Sequence, residues 1–282
     1  MTLWYSLVSL LPFEWAAPGT MYFMKNALLA VLVISPLFGL LSTLVVQNNM
    51  AFFSDALGHS AFTGMAIGAL AGLADQTWTA VAFALAFAFL FTYVRHRSKM
   101  SSDTIIGVFS SAAMALGIFL STLGGQSFSR FNVLLIGDIL SVTPVKIGLL
   151  FFILLLILAL WLYAYNGLML SAIHPALAGS RGVHTFWHQA LFTAAIAVVV
   201  TLSMTWVGLL VINSLLVLPG ALARNLAKHS AQYHLLSVLS ALLCGIAGLL
   251  TSYYMGTSAG ATITLYLAVF FFLSLIFARK GR

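Results

Sequence analysis

Long apolar runs are the feature that most restricts how this chain of 282 residues can fold. From residue 26 to residue 94 there is no Lys or Arg, and the only acids are Asp55 and Asp75. Overall, 62% of the residues are hydrophobic and 6% are charged, against about 25% charged residues in soluble domains. The runs are continuously apolar, whereas membrane β-strands alternate. The sequence therefore predicts an all-α, polytopic helical membrane protein.

About eight to nine transmembrane helices are expected, together with one short re-entrant element. The short run 131–140 cannot cross a bilayer unaided at about 1.5 Å per residue, so we interpret it as the re-entrant element. The run 207–219 is also short, and Pro219 is expected to end it. The candidate spans are 26–46, 53–73, 77–94, 104–123, 144–164, 186–204, 207–219, 234–254 and 261–278.

The net charge of +7 indicates membrane topology and no nucleic-acid partner, because the basic residues lie in short loops between apolar runs. They place the N-terminus outside and the C-terminus in the cytoplasm. Residues 1–25 are expected to form an interfacial segment in which Trp4, Tyr5, Trp15 and Tyr22 face lipid headgroups. Residues 26–282 are expected to form a single transmembrane domain, with a cytoplasmic loop at 165–185.

Asp55 and His59 form the strongest candidate site. Residues four apart share a helix face, and a carboxylate with a neutral imidazole makes a ligand pair for first-row metals. An ionised side chain at membrane depth costs roughly 2.5–3.5 kcal/mol, which indicates a functional role. The alternative is that Ser54 or Asp55 caps a helix while His59 packs inside. Two ligands are too few for a closed tetrahedral site, but a dimer axis would double them.

Other polar residues have more than one interpretation. Asp138 could face a cavity as a low-ranked metal ligand, or it could cap a half-helix. Asn213 and Ser214 could line a path, although helix packing is the favoured interpretation. His229 and His234 are expected in a solvated cytoplasmic loop. The chain has no GxxxxGK[ST] phosphate-binding loop and no HExxH motif, so it is not expected to bind ATP itself or to be an enzyme.

Five segments in order resemble the membrane-spanning permeases of ATP-binding cassette importers for zinc, manganese or iron. The first contains Asp55 and His59 and is similar to the family signature M-x-x-x-G-D-A-L-S-H-A, although Ser54 replaces its glycine. The five segments are MAFFSDALGHSAFTG (50–64), SDTIIG (102–107), LIGDILSV (135–142), VGLLVINSLLVLP (207–219) and SAGAT (258–262).

This resemblance implies a permease homodimer in the bacterial cell membrane. A cytoplasmic ATPase subunit would use ATP, and an extracytoplasmic metal-binding protein would deliver the ion. The transported Zn²⁺, Mn²⁺ or Fe²⁺ would pass Asp55 and His59, and no cofactor would be held permanently. The segment IHPALAGSRGV (173–183) resembles the family's coupling helix. Its expected ATPase-coupling residues are His174, Pro175, Leu177, Ala178, Arg181 and Gly182.

Two functions of other classes are weighed against import. A stand-alone secondary or proton-coupled transporter would use Asp55, His59 and Asp138 as a relay. An intramembrane hydrolase would use Ser60 as its nucleophile, but the sequence Gly58-His59-Ser60-Ala61 lacks the final glycine of a Gly-x-Ser-Gly motif.

Overall fold

The computed structural model describes residues 2–10, 12–123, 138–173 and 175–278. All regular structure in this part of the chain is helical, which confirms the predicted class. Two 3-10 turns, Glu14–Ala16 and Ile139–Ser141, accompany the helices. The α-helices are α1 Thr2–Val8, α2 Tyr22–Gln47, α3 Phe53–Leu70, α4 Thr77–Arg97, α5 Ser102–Leu123, α6 Pro144–Ile173, α7 Pro175–Ser180, α8 Thr185–Val207, α9 Leu209–Leu226, α10 Ser230–Met255 and α11 Ala259–Ile276.

Eight helices within the described ranges are long and apolar enough to cross a membrane, namely α2, α4, α5, α6, α8, α9, α10 and α11. A ninth helix, α3, has 18 residues but is more polar, because it carries Asp55 and His59. The predicted number of eight to nine spans therefore holds. The large apolar side chains of α5, α6 and α11 are exposed in many positions, as expected for helices that face lipid.

The helices pack in two groups that meet at the α6–α8, α8–α9 and α3–α9 contacts. One group is built around α2, which packs against α6, α9 and α10; the other is built around α3, which packs against α4, α5 and α8. Glycines allow this close packing: a Cβ at Gly64 would lie 2.6 Å from the Ala80 Cα in α4, and a Cβ at Gly58 would lie 2.5 Å from Leu209 Cδ2 in α9. Leu209 and Gly58 thus mark one of the contacts between the two groups.

Helix α9 does not end at Pro219 as the sequence predicted. The proline is buried inside the helix, which continues to Leu226. Proline removes one backbone donor from the helix and bends its hydrogen-bond ladder. A neighbouring helix supplies a local partner, because the Gly220 N–H donates to Ser42 Oγ of α2 at 2.8 Å. Tertiary packing therefore overrides the local breaking signal.

Helix α6 also continues further than the sequence predicted. The expected loop began at residue 165, whereas α6 extends to Ile173. Apolar Leu168 is buried in this extension, and Gly167 fits closely against the His188 ring of α8. These contacts extend the helix, so the connection between α6 and α8 consists mainly of α7.

The N-terminal segment folds back onto the start of α2. The Trp4 indole N–H donates to the Lys25 carbonyl at 3.0 Å, and Lys25 Nζ donates to the Ala17 carbonyl at 2.7 Å. Trp15 is completely buried, so its predicted place among lipid headgroups is wrong; it stacks on Phe13 with 5.4 Å between ring centroids. The segment is integrated into the end of the bundle at which α2 begins.

Only the end of the predicted re-entrant element can be described, since residues 131–137 lie outside the described residues. Asp138 precedes the turn Ile139–Ser141, which packs against α2, α8 and α11.

Candidate functional site

The first two turns of α3 bring Asp55 and His59 together as their spacing predicted. The His59 Nε2 and Asp55 Oδ2 atoms are 3.6 Å apart, and this is the only acid–base pair of this kind in the part of the chain that the structure describes. The His59 side chain is 21% exposed and the Asp55 side chain is 49% exposed. The pair is therefore accessible rather than sealed by packing.

The helix-cap interpretation of Asp55 is wrong. Helix α3 begins at Phe53, its N-cap residue is Phe52, and no side chain makes a capping hydrogen bond there. The Asp55 carboxylate instead interacts with side chains, although its position in the first turn remains favourable for a negative charge. Ser54 is completely buried, and its hydroxyl has no hydrogen-bond partner among the described residues.

Asn213 of α9 completes the site from the other helix group. Its Nδ2 donates to Asp55 Oδ1 over 3.4 Å, a long hydrogen bond. Its Oδ1 atom is buried and has no partner within the described ranges. The sequence favoured a packing role for Asn213. The only signal for a role in the site was that a polar residue interrupts an apolar run. A buried acceptor without a donor is costly unless something else satisfies it.

The packing of α3 on α4 indicates how far the site lies from the basic end of α4. The rings of Phe53 and Phe91 are 4.7 Å apart, and Gly64 lies against Ala80, so the helices are antiparallel. In this register Asp55 is level with about residue 89 of α4, roughly eight residues before the basic end of that helix. At 1.5 Å per residue the pair lies about 12 Å along the bundle from that end.

Asp138 does not join this pair. No group of three or more His, Cys, Asp or Glu side chains comes together among the described residues. The Asp138 side chain is exposed and accepts a hydrogen bond from the Leu140 N–H at 2.9 Å. Of its two predicted roles, the structure supports capping, but the capped element is the 3-10 turn Ile139–Ser141 and not a half-helix.

The prediction for His234 is wrong, because this residue is 8% exposed inside α10. Its Nδ1 atom lies 2.8 Å from Thr43 Oγ1 of α2, and its Nε2 atom lies 3.3 Å from the Tyr165 hydroxyl of α6. The ring also packs edge-on against Trp161. Both ring nitrogens are thereby engaged in joining three helices, which suits a structural role.

Ser60 does not have the environment of a nucleophile. It is completely buried, and its hydroxyl donates to the Leu57 carbonyl at 2.8 Å within its own helix. This local hydrogen bond is typical of a serine in a membrane helix.

The predicted coupling segment forms a short helix, α7, with a well-defined end. Gly182 adopts a left-handed φ of +74°. Its N–H donates to the Gly179 carbonyl at 3.1 Å, and the Val183 N–H donates to the Ala178 carbonyl at 3.0 Å. This pair of hydrogen bonds is a Schellman motif, in which glycine avoids the steric cost of the left-handed conformation.

The other predicted coupling residues divide by exposure. Leu177 and Arg181 are exposed, whereas Ala178 is completely buried in a helix that packs against α6 and α8. Pro175 begins α7, a position that proline favours. His174 lies outside the described residues. Helix α7 thus has one face against the bundle and one face available to a partner.

The fold and the site define a polytopic membrane transport protein in which a polar site lies between two helix groups. The chain belongs to the ABC 3 transport family, whose sequence model matches residues 20–278. This match confirms the resemblance seen in the sequence.

Relatives with known roles support the same family. The chain is 29% identical over 261 residues to the manganese import system permease protein ScaB of Streptococcus parasanguinis, covering 93% of this chain and 92% of that protein. It is 28% identical over 251 residues to the high-affinity zinc uptake system membrane protein ZnuB of Haemophilus influenzae, covering 88% and 95%. Among solved structures, it resembles PsaBC from Streptococcus pneumoniae in complex with Fab, with a TM-score of 0.77, 27% identity, and coverage of 99% of this chain and 97% of that chain.

Proposed function

We propose that this chain is the permease subunit of an ATP-driven importer of a divalent transition metal ion, manganese or zinc first and iron second. The proposal is carried by the Asp55–His59 pair, which lies about 12 Å along the bundle from the basic end of α4 in a chain of the ABC 3 transport family. The names of the relatives ScaB and ZnuB refer to manganese import and to zinc uptake, which supports either metal as the cargo of this chain.

The donor atoms suit such a cargo. The Asp55 carboxylate and the unpartnered Asn213 amide oxygen favour Mn²⁺, whereas the His59 imidazole is a good ligand for Zn²⁺. One chain supplies only a partial coordination shell, and two copies would supply two carboxylates, two imidazoles and two amide oxygens. A shared site of this kind binds the ion yet can release it, as a translocation path requires. We therefore propose a homodimer with the path along its axis.

Transport would be coupled to ATP through a separate ATPase subunit. The exposed Leu177 and Arg181 side chains of α7 would contact that subunit on the cytoplasmic side. Because α7 packs against both α6 and α8, a displacement of α7 would be transmitted to each of them, as in rigid-body switching. An extracytoplasmic metal-binding protein would deliver the ion to the opposite face, and residues 26–282 would act as one permease unit.

Uptake of radioactive manganese and zinc tests this proposal in a strain that lacks the chromosomal gene. We expect uptake with the wild-type chain and background uptake with Asp55→Asn, which keeps the side-chain shape and removes the charge. Asp103→Asn is the matched control, because Asp103 is an exposed acid in the first turn of α5. Near-normal uptake by Asp55→Asn at normal expression would exclude the site.

Reconstitution separates ATP-driven import from stand-alone transport. Liposomes that contain the permease alone should not accumulate metal, and those that also contain its ATPase subunit should do so when ATP is supplied. Accumulation by the permease alone, driven by a proton gradient, would instead favour secondary transport.

A further inference from the structure

A largely apolar cavity, with basic and other polar residues in its lining, lies at the opposite end of α9 from Asn213. It has a volume of about 290 Å³ and is formed where α2, α6 and α9 end and α10 begins. The basic loops place this end of the bundle in the cytoplasm, so the cavity is at the level of the inner-leaflet headgroups. The residues that matter for its chemistry are Gln47, Met169, Arg224, Lys228, His229 and Tyr233.

The cavity carries positive charge that no acid in the described part of the chain neutralises. Arg224 and Lys228 are exposed, and neither forms an ion pair with a described acid. Helix α10 also begins here, after His229, so its positive dipole end adds to the same field. Arg224, Lys228 and the N-terminus of α10 would therefore all attract an anion in the cavity.

A polar acceptor beside these cations indicates a ligand with a donor as well. The Gln47 Oε1 atom is buried and has no hydrogen-bond partner among the described residues. A hydroxyl group adjoining an anion would satisfy it. An ammonium group would also donate, but Arg224 and Lys228 would repel it. Met169 and Ala227 provide apolar surface in the same cavity, which suits the start of an acyl chain.

We propose that this cavity binds the headgroup of an anionic phospholipid of the cytoplasmic leaflet, of the phosphatidylglycerol type. The phosphate lies between Arg224 and Lys228, and a glycerol hydroxyl donates to Gln47. Basic pockets between transmembrane helices on the cytoplasmic side are suited to such headgroups. The lipid would join the ends of α2, α6, α9 and α10, so its occupancy would stabilise the α2 group of helices.

Native mass spectrometry of the full-length chain in detergent tests this site, with phosphatidylglycerol and phosphatidylcholine supplied in equal amounts. Each basic residue near an anionic headgroup contributes roughly a fivefold preference. We therefore expect the double variant Arg224→Gln/Lys228→Gln to lower the preference for phosphatidylglycerol about 25-fold. The charge-preserving variant Arg224→Lys/Lys228→Arg should retain the preference.

The matched control is Arg97→Gln/Lys99→Gln, which removes two charges from a basic loop at the same end of the bundle. An equal loss of preference in this control would overturn the proposal, because the effect would then reflect total charge. Displacement of the lipid by millimolar inorganic phosphate would also overturn it and would identify a site for free phosphate. A third outcome would also overturn the proposal: the wild type shows no preference for phosphatidylglycerol, and the Arg224/Lys228 double variant no longer co-purifies with the ATPase. The cavity would then be part of the surface that binds the ATPase subunit.

Discussion

Replacing Asn213 with leucine is expected to impair transport without destabilising the chain. The substitution removes the hydrogen bond from Nδ2 to Asp55 Oδ1 and also removes the buried, unpartnered Oδ1 atom. Hydrogen bonds to charged groups contribute roughly 1.5–3 kcal/mol. At 3.4 Å, beside a half-exposed carboxylate, the lower end of this range applies. Because this hydrogen bond orients the Asp55 carboxylate proposed to bind the metal, a loss of about 1.5 kcal/mol from the metal-bound state corresponds to roughly tenfold weaker metal binding.

The same substitution should leave the thermal stability of the fold unchanged or raise it, although it weakens metal binding. The lost hydrogen bond lowers stability by about 1.5 kcal/mol, but removal of the unsatisfied buried acceptor relieves a desolvation penalty of about 1–3 kcal/mol, and leucine is a better residue than asparagine inside a membrane helix. Thermal unfolding of the purified variant should therefore occur at or above the wild-type temperature. Concentration-dependent metal uptake should show a rise of about tenfold in the half-saturating concentration.

Asn225→Leu is the matched control for this experiment. Asn225 also lies in α9 and makes an inter-helix hydrogen bond, from its Nδ2 to Ser274 Oγ at 2.9 Å, but it is three turns away from the site. We expect normal metal affinity in this control. Wild-type affinity in Asn213→Leu, or an equal loss in Asn225→Leu, would refute the role of Asn213 in the metal site.

Two further predictions concern glycines. Gly64→Ala places a Cβ 2.6 Å from the Ala80 Cα and should destabilise the α3–α4 contact by about 1–3 kcal/mol; Gly107→Ala meets no atom within 4 Å and should leave thermal stability unchanged. Gly182→Ala places an alanine in the left-handed conformation at the end of α7, at a cost of about 1–2 kcal/mol. This variant should lower ATP-driven uptake at normal expression. Gly179→Ala should not, because a Cβ at Gly179 meets no atom within 4 Å. Equal effects within either pair would contradict the packing or the coupling argument.

Features set by local sequence could be predicted, and features set by packing between distant helices could not. The run 77–94 predicts α4, observed as Thr77–Arg97, because an uncharged apolar stretch in a membrane has few alternatives to a helix. The Asp55–His59 pair follows from the helix period alone. The contribution of Asn213 depends on how α9 packs against α3, 158 residues away in sequence, and no local pattern contains that information.

The incorrect predictions have the same origin. Pro219 is a helix breaker by local rules, but the Ser42 hydroxyl of a neighbouring helix accepts the adjacent Gly220 N–H. His234 lies close to polar residues in the sequence, yet packing against α2 and α6 buries it. In both cases a group on another helix satisfies a polar atom, and the sequence does not show which helices are neighbours.

In the proposed path the transported ion contacts His59 directly. Pulsed electron paramagnetic resonance of Mn²⁺ bound to the purified permease measures this contact, because an imidazole ligand adds a nitrogen coupling to the manganese signal. His59→Gln is compared with His188→Gln, which alters a histidine whose ring lies against Gly167 at the α6–α8 contact. We expect the nitrogen coupling in the wild type and in His188→Gln, and its loss in His59→Gln. A coupling that persists in His59→Gln would contradict the proposed metal path.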